Sequence, residues 1–332
     1  MLIGAITACS PNSRYAGAKK DPEPARVPDS TPAPETPAPP APNPENPPAT
    51  VSALESVDYC SPNARPKASE REQSFAPVGI VNGQITGDYD SVVELSLGFG
   101  VCSGTAVSDS TVVTAAHCLF TGSLTYNKSV ASVNFVKSDA VDLAVVTFPA
   151  GTFKKHMAVS TEVPATNAVI TLLGFGQTDF INNNAADGKR RVGCNRLIGF
   201  ADRDRTRAAV VHRADRGDYL HFRSSIVVNT PEGEDAMTGR GDSGGPIVIG
   251  GKLGGVVSFG GTRAQLRSMT LENDPSPSDT LIYEYDTSLH SPEAIKLLER
   301  ATKEIGARIE GLPSNPAAQE GQPTAQERQK DK

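Results

Sequence analysis

Short runs of β-branched and apolar residues, broken by glycine, asparagine and aspartate, fill the chain from Ile80 to Asp286. Val92-Val93-Glu94-Leu95-Ser96-Leu97, Thr111-Val112-Val113-Thr114, Val169-Ile170-Thr171-Leu172-Leu173, Ser225-Ile226-Val227-Val228 and Ile247-Val248-Ile249 each have the length of one strand. Many short strands joined by turns predict an all-β barrel or sandwich. One helix is predicted after Ser291-Pro292-Glu293, where serine caps, proline suits the first turn and glutamate meets the positive end of the dipole. Ile295, Leu298, Ile305 and Ile309, with Leu297 alongside, give that helix an apolar face.

The pattern fades at both ends. Residues 21–50 are mostly proline, alanine, glutamate and threonine, too poor in large apolar side chains to offset chain entropy, and they read as an extended spacer. The stretch from Pro313 to Lys332 is polar and lacks a core pattern. Net charge is −6, and Lys189-Arg190-Arg191 is too short a basic run to suggest nucleic acid, so it reads as a solvated loop. No apolar stretch is long enough to cross a bilayer as a helix. A phosphate-binding loop, His/Cys metal spacing and internal repeats are all missing, so no cofactor or metal is expected.

Candidate chemistry lies in three strings. Gly241-Asp242-Ser243-Gly244-Gly245-Pro246 surrounds a serine with glycines that let the backbone turn sharply, so that successive N–H groups can face a developing oxyanion. A serine hydroxyl is a weak nucleophile until a base takes its proton, and Thr114-Ala115-Ala116-His117-Cys118 supplies a histidine. Asp142 opens the apolar run Leu143-Ala144-Val145-Val146. A carboxylate at the start of a buried strand is costly unless paired, and the His117 ring would pair it. Asp139 competes for this role, but Asp142 directly precedes the apolar run.

With these strings in the order His117, Asp142, Ser243, the chain resembles the trypsin/chymotrypsin-like serine proteases over roughly residues 80 to 310. Ile80-Val81-Asn82-Gly83 resembles the N-terminus exposed when a propeptide is cut, and Gly174-Phe175-Gly176 resembles the step that opens the second barrel. The resemblance implies two six-stranded antiparallel β-barrels with a C-terminal α-helix. It implies a serine endopeptidase made as a zymogen, acting on proteins or peptides as a monomer. His117, Asp142 and Ser243 would be catalytic, with the N–H groups of Gly241 and Ser243 as the oxyanion hole. Ser258, Phe259 and Gly260 would hold substrate backbone. Ile80 would pair with Asp242 on activation, although Ala76-Pro77-Val78-Gly79 offers no basic residue to a trypsin-like activator. Met237, six before the serine, would lie at the base of the pocket for the residue before the scissile bond and favour an apolar side chain there. The interval between His117 and Asp142 is short for the family's animal members, so the hairpin carrying their calcium loop is expected to be missing.

Cysteine usage fits an oxidising compartment. The resemblance pairs Cys102 with Cys118, while Cys60 and Cys194 are left either bridged or as separate thiols. The fifth, Cys9, ends Ile6-Thr7-Ala8-Cys9, which resembles a bacterial lipobox. The expected organisation is a signal remnant at 1–8, a lipid-anchor cysteine and Pro-rich linker at 9–59, and a propeptide at 60–79. The protease domain follows at 80–310, with a disordered tail at 311–332. The periplasm, the bacterial outer membrane or the exterior is the expected location. The alternative is a catalytically inactive trypsin-fold binding module. Periplasmic quality-control proteases usually carry asparagine where Asp242 stands, which argues against that branch.

Overall fold

The computed structural model describes residues 53–54, 59–60 and most of 80–312, leaving out 82, 99, 139, 178–185, 205, 208, 226–235, 267–269 and 274–280. All of these fall within the unit formed by residues 50–332. Cys9, the spacer, most of the expected propeptide, Asp139 and the tail from 313 lie outside the described residues.

The strands form two curled, mainly antiparallel sheets. The first is 7-stranded and runs in the spatial order 130–131, 125–126, 92–96, 101–106, 111–114, 144–147, 134–137. The second is 10-stranded, in the order 270–272, 209–213, 199–204, 219–225, 281–288, 252–262, 246–249, 169–174, 191–196, 84–85. Both exceed the six strands expected of each barrel, because short edge pairings extend them. One such pairing, Ala209–Arg213 with Thr270–Glu272, is parallel.

The core follows from alternation and from wholly apolar runs. Val92, Val112, Val113, Leu143, Val145 and Val146 are buried together in the first half, and Ile170, Leu172, Phe200, Leu220, Phe222 and Ile247 in the second. The helix spans Pro292–Ile305, with Ser291 Oγ accepting the Ala294 N–H as an N-cap and Gly306 at φ 64° ending it. Its buried face is Ala294, Leu297, Leu298 and Ala301, so the two expected leucines are in the core while the isoleucines pack at its margin or, in the case of Ile295, lie half-buried. Ile295 and Ile305 are only partly covered, and Ile309 lies beyond the stop. The alanines let the helix lie close against strands 134–137 and 144–147.

Two disulfides cross the fold. Cys102 joins Cys118, with Cα atoms 6.2 Å apart. Cys60 joins Cys194 across 134 residues, with Cα atoms 5.6 Å apart. The short strand Ala53–Leu54 pairs in parallel with Lys155–His156, so the segment before Ile80 is attached at two places.

Candidate active site

His117 lies in a 3-10 turn, Ala116–Leu119, that follows strand Thr111–Thr114. Cys118 anchors this turn to strand Val101–Ala106 through its disulfide. The His117 ring Nδ1 is 2.6 Å from Asp142 Oδ2, and the His117 backbone N–H donates to Oδ1 at 2.9 Å. One carboxylate therefore fixes both the ring and the backbone of the histidine. Ser258 Oγ donates to the same Oδ2 at 2.7 Å, and Thr287 Oγ1 donates to the Asp142 carbonyl at 3.0 Å. Burial works against the charge on Asp142, yet the bonds from His117 and Ser258 outweigh it and hold its carboxyl below the usual value.

Ser243 occupies the turn before strand Pro246–Ile249. Gly241 stands at φ 99° and Gly244 at φ 84°, a region L side chains rarely adopt. A Cβ on Gly244 would also fall 2.0 Å from Thr114 Oγ1, so only glycine lets this turn nest against the histidine's own strand. Ser103 holds the two together. Its N–H donates to the Ser243 carbonyl at 2.8 Å and its Oγ donates to the Gly241 carbonyl at 2.9 Å. That Oγ accepts the Phe175 N–H at 3.0 Å, and Thr114 Oγ1 donates to the Ser103 carbonyl at 2.8 Å.

The Ser243 hydroxyl makes no hydrogen bond to His117 among the described residues, a looseness common in sites without substrate. The N–H groups of Gly241 and Ser243 donate to no described residue, so both remain available to an oxyanion. The positions chosen from sequence thus separate into a directly bonded pair, His117 and Asp142, and a serine turn locked to the strand beside it.

Asp242 points inward, away from that turn. Its Oδ1 accepts the Gly176 N–H at 2.8 Å and its Oδ2 accepts the Gly239 N–H at 2.9 Å. Full burial pushes its carboxyl up to about 7, opposed by the N–H bonds of Gly239 and Gly176, the positive field of Arg191 and the Ile80 N–H. Ile80 is completely buried beside it, at φ 38°. Val81 accepts the Met237 N–H at 3.1 Å, so Met237 lies against the chain that follows Ile80. Phe259 packs edge-on to Tyr219, with ring centroids 5.3 Å apart.

Sequence reasoning missed the acids of strand Leu281–Ser288. Glu284 and Asp286 are 1% and 0% exposed. Burial pushes Glu284 up to about 8, against two bonds from Thr238 and with repulsion from Asp242. Burial and the Glu284 charge push Asp286 well above its usual value. The available signal was two acids at alternate positions inside an otherwise apolar and aromatic run.

The family model described as Trypsin matches residues 80–271. Trypsin alpha-4 of Lucilia cuprina is 27% identical over 219 residues, covering 55% of this chain and 81% of that protein. Trypsin delta of Drosophila melanogaster is 27% identical over 208 residues, covering 54% and 78%. Among solved structures, mouse neuropsin, a serine protease expressed in the limbic system of the brain, aligns with a TM-score of 0.44 at 17% identity. That alignment covers 68% of this chain and 97% of neuropsin.

Proposed function

The chain belongs to the trypsin family, and we propose that it is an active serine endopeptidase. The observation that carries the proposal is the 2.6 Å contact between His117 Nδ1 and Asp142 Oδ2, beside a serine turn that Ser103 ties to the same half of the fold. An inactive binding module has no need of a partly buried carboxylate holding an exposed histidine ring.

In this reading Ser243 Oγ attacks the peptide carbonyl while His117 Nε2 takes its proton. Asp142 keeps the other ring nitrogen protonated and stabilises the imidazolium. The N–H groups of Gly241 and Ser243 receive the oxyanion, each donor worth about 3–4 kcal/mol in comparable enzymes. His117 then returns the proton to the leaving amine, and water resolves the acyl-enzyme by the same route. Ser258, Phe259 and Gly260 align the substrate backbone. Cutting before Ile80 would convert the N–H now facing Asp242 into an α-ammonium group, which is the zymogen step.

Two disulfides suit an oxidising, extracellular setting, and no helix among the described residues is long and apolar enough to cross a membrane. A lipid on Cys9, with residues 10–59 as tether, would hold a monomeric enzyme at a bacterial membrane in the periplasm. Peptide hydrolysis by the wild-type chain and by Ser243→Ala tests the central reading. A loss of about 10⁴-fold or more is expected, and an unchanged rate would remove it.

A further inference from the structure

Asp286 is a fully buried carboxyl that the proposed chemistry leaves unused. Strands Lys252–Thr262 and Leu281–Ser288 pair Val256 with Thr287 and Phe259 with Tyr285. Three steps on the first strand oppose two on the second, so the first carries one extra residue, a β-bulge at Val257 and Ser258. A bulge takes a backbone N–H out of the ladder, and a buried N–H then needs another acceptor. The Ser258 N–H finds it in Asp286 Oδ1, at 2.7 Å. Ser258 thereby spans two carboxyls, since its hydroxyl donates at 2.7 Å to Asp142 Oδ2, the oxygen that also holds the His117 ring. The neighbouring Thr287 bonds the Asp142 carbonyl. One strand therefore steadies Asp142 by its backbone and, through Ser258, by its side chain.

Any acceptor would satisfy one N–H, but a carboxyl brings a second oxygen, and Oδ2 is buried with no hydrogen-bond partner among the described residues. On the opposite edge of its strand, Asp286 is paired with Leu220, which is buried and apolar. Among the described residues no lysine, arginine or histidine forms an ion pair with it. The charged groups that act on it are all acids: Glu284 on its own strand, then Asp142 and Asp242. Burial and the Glu284 charge push its carboxyl well above the usual value, against the Ser258 N–H. Of the two acids joined by Ser258, Asp142 has His117 to balance its charge. Asp286 has no such partner, and an unpaired buried hydroxyl costs less than an unpaired buried charge.

We propose that Asp286 is a positioning residue, a neutral acid that pins Ser258 in its bulge so that the hydroxyl is aimed at Asp142. This rests on the protease reading. An ionised Asp286 would compete with Asp142 for the Ser258 hydroxyl and set a second negative charge two hydrogen bonds away. The neutral acid fixes the backbone of Ser258 and leaves its hydroxyl to Asp142. Asp286 touches neither substrate nor His117, and its effect on the reaction passes through Ser258 alone.

Two measurements on the full chain test this. The first is a double-mutant cycle on the hydrolysis of one good peptide. Asp286→Ala should lower kcat about fivefold to tenfold with KM within about twofold of wild type. Asp286→Asn, which keeps an acceptor without a charge, should recover most of that loss. In a Ser258→Ala background, Asp286→Ala should cost less than about twofold more, because the hydroxyl it aims is gone. The second measurement needs no catalysis: the infrared difference between wild type and Asp286→Asn at neutral pH should contain the C=O band of a protonated carboxylic acid. Losses that multiply in the double variant would mean general damage to the fold and would overturn the inference. An unaltered kcat in Asp286→Ala, an Asp286→Asn variant as slow as Asp286→Ala, or a carboxylate band in place of the acid band would each overturn it too. A wild-type chain that cleaves no peptide would instead end the protease reading, and with it any part for Asp286 in aiming Asp142.

Discussion

Ser258 and Asp142 are joined by a 2.7 Å hydrogen bond to the carboxylate oxygen that also holds the His117 ring. In the proposed mechanism Ser258 therefore serves the acid–base pair as well as the strand expected to carry substrate. Removing its hydroxyl withdraws one donor from a partly buried charge and loosens the aim of the carboxylate. Ser258→Ala should lower kcat by about tenfold with little change in KM. Steady-state kinetics on one good peptide decides it, and an unaltered kcat would make the shared bond incidental.

Burial raises Asp242 to about 7 and Glu284 to about 8, whereas unfolded carboxyls titrate near about 4. Between those values the folded chain binds more protons than the unfolded one, so their contribution to stability falls as pH rises from about 4 to about 8. Glu284→Gln keeps the acceptor for Thr238 and deletes one of these liabilities. Its melting temperature should exceed wild type by about 2–4 °C or more at pH 8, with little difference at pH 4. Equal shifts at both pH values would argue against a buried ionisation at this position.

Ile80 is a β-branched residue held at φ 38°, a conformation that costs on the order of 1–3 kcal/mol. In the proposed zymogen step, cutting the bond before it would release that constraint and bring a positive charge to Asp242. The active form is expected to begin at Ile80 and to retain the preceding segment through Cys60 and Cys194. It should migrate as a single species without reductant and lose a fragment when reduced. Full activity in a chain still continuous through Gly79–Ile80 would dispose of the zymogen step.

Cys9 lies beyond the described residues, and its modification is a matter for mass spectrometry. Expression in a bacterial host with a complete upstream leader should yield a diacylglyceryl-modified cysteine and a membrane-associated product. A soluble protein with an unmodified Cys9 would leave the spacer without an anchor.

Much of this architecture was legible because its chemistry is local. Strand 111–114 and the start of the helix were visible in β-branched runs and in the Ser291-Pro292-Glu293 cap. The proximity of His117 and Asp142 was legible because an acid opening an apolar strand calls for a partner, and Ser243 was singled out by the glycines around it. The helix face was read in part: Leu297 and Leu298 are buried as expected and Ile305 and Ile309 pack against the core, whereas Ala294 and Ala301, which share that face, carry little weight in a hydrophobic pattern. The Cys60–Cys194 bridge depends on a distance between remote segments, which no local pattern encodes. Glu284 and Asp286 escaped notice because an acid in a strand ordinarily marks the solvent face, and here both point inward.

Ser103 uses its backbone and its hydroxyl on different clients: the carbonyls of Ser243 and Gly241, the N–H of Phe175 and the hydroxyl of Thr114. The phase between the two halves of the molecule is thereby written in the register of strand Val101–Ala106. A slip of one residue there would turn this side chain to the opposite face and displace Ser243 and the proposed oxyanion donors together. Surface loops can lengthen or change composition without touching that alignment. The tolerance of this scaffold to variation is therefore uneven, wide around the rim and close to nil along one short strand whose residues perform no chemistry themselves.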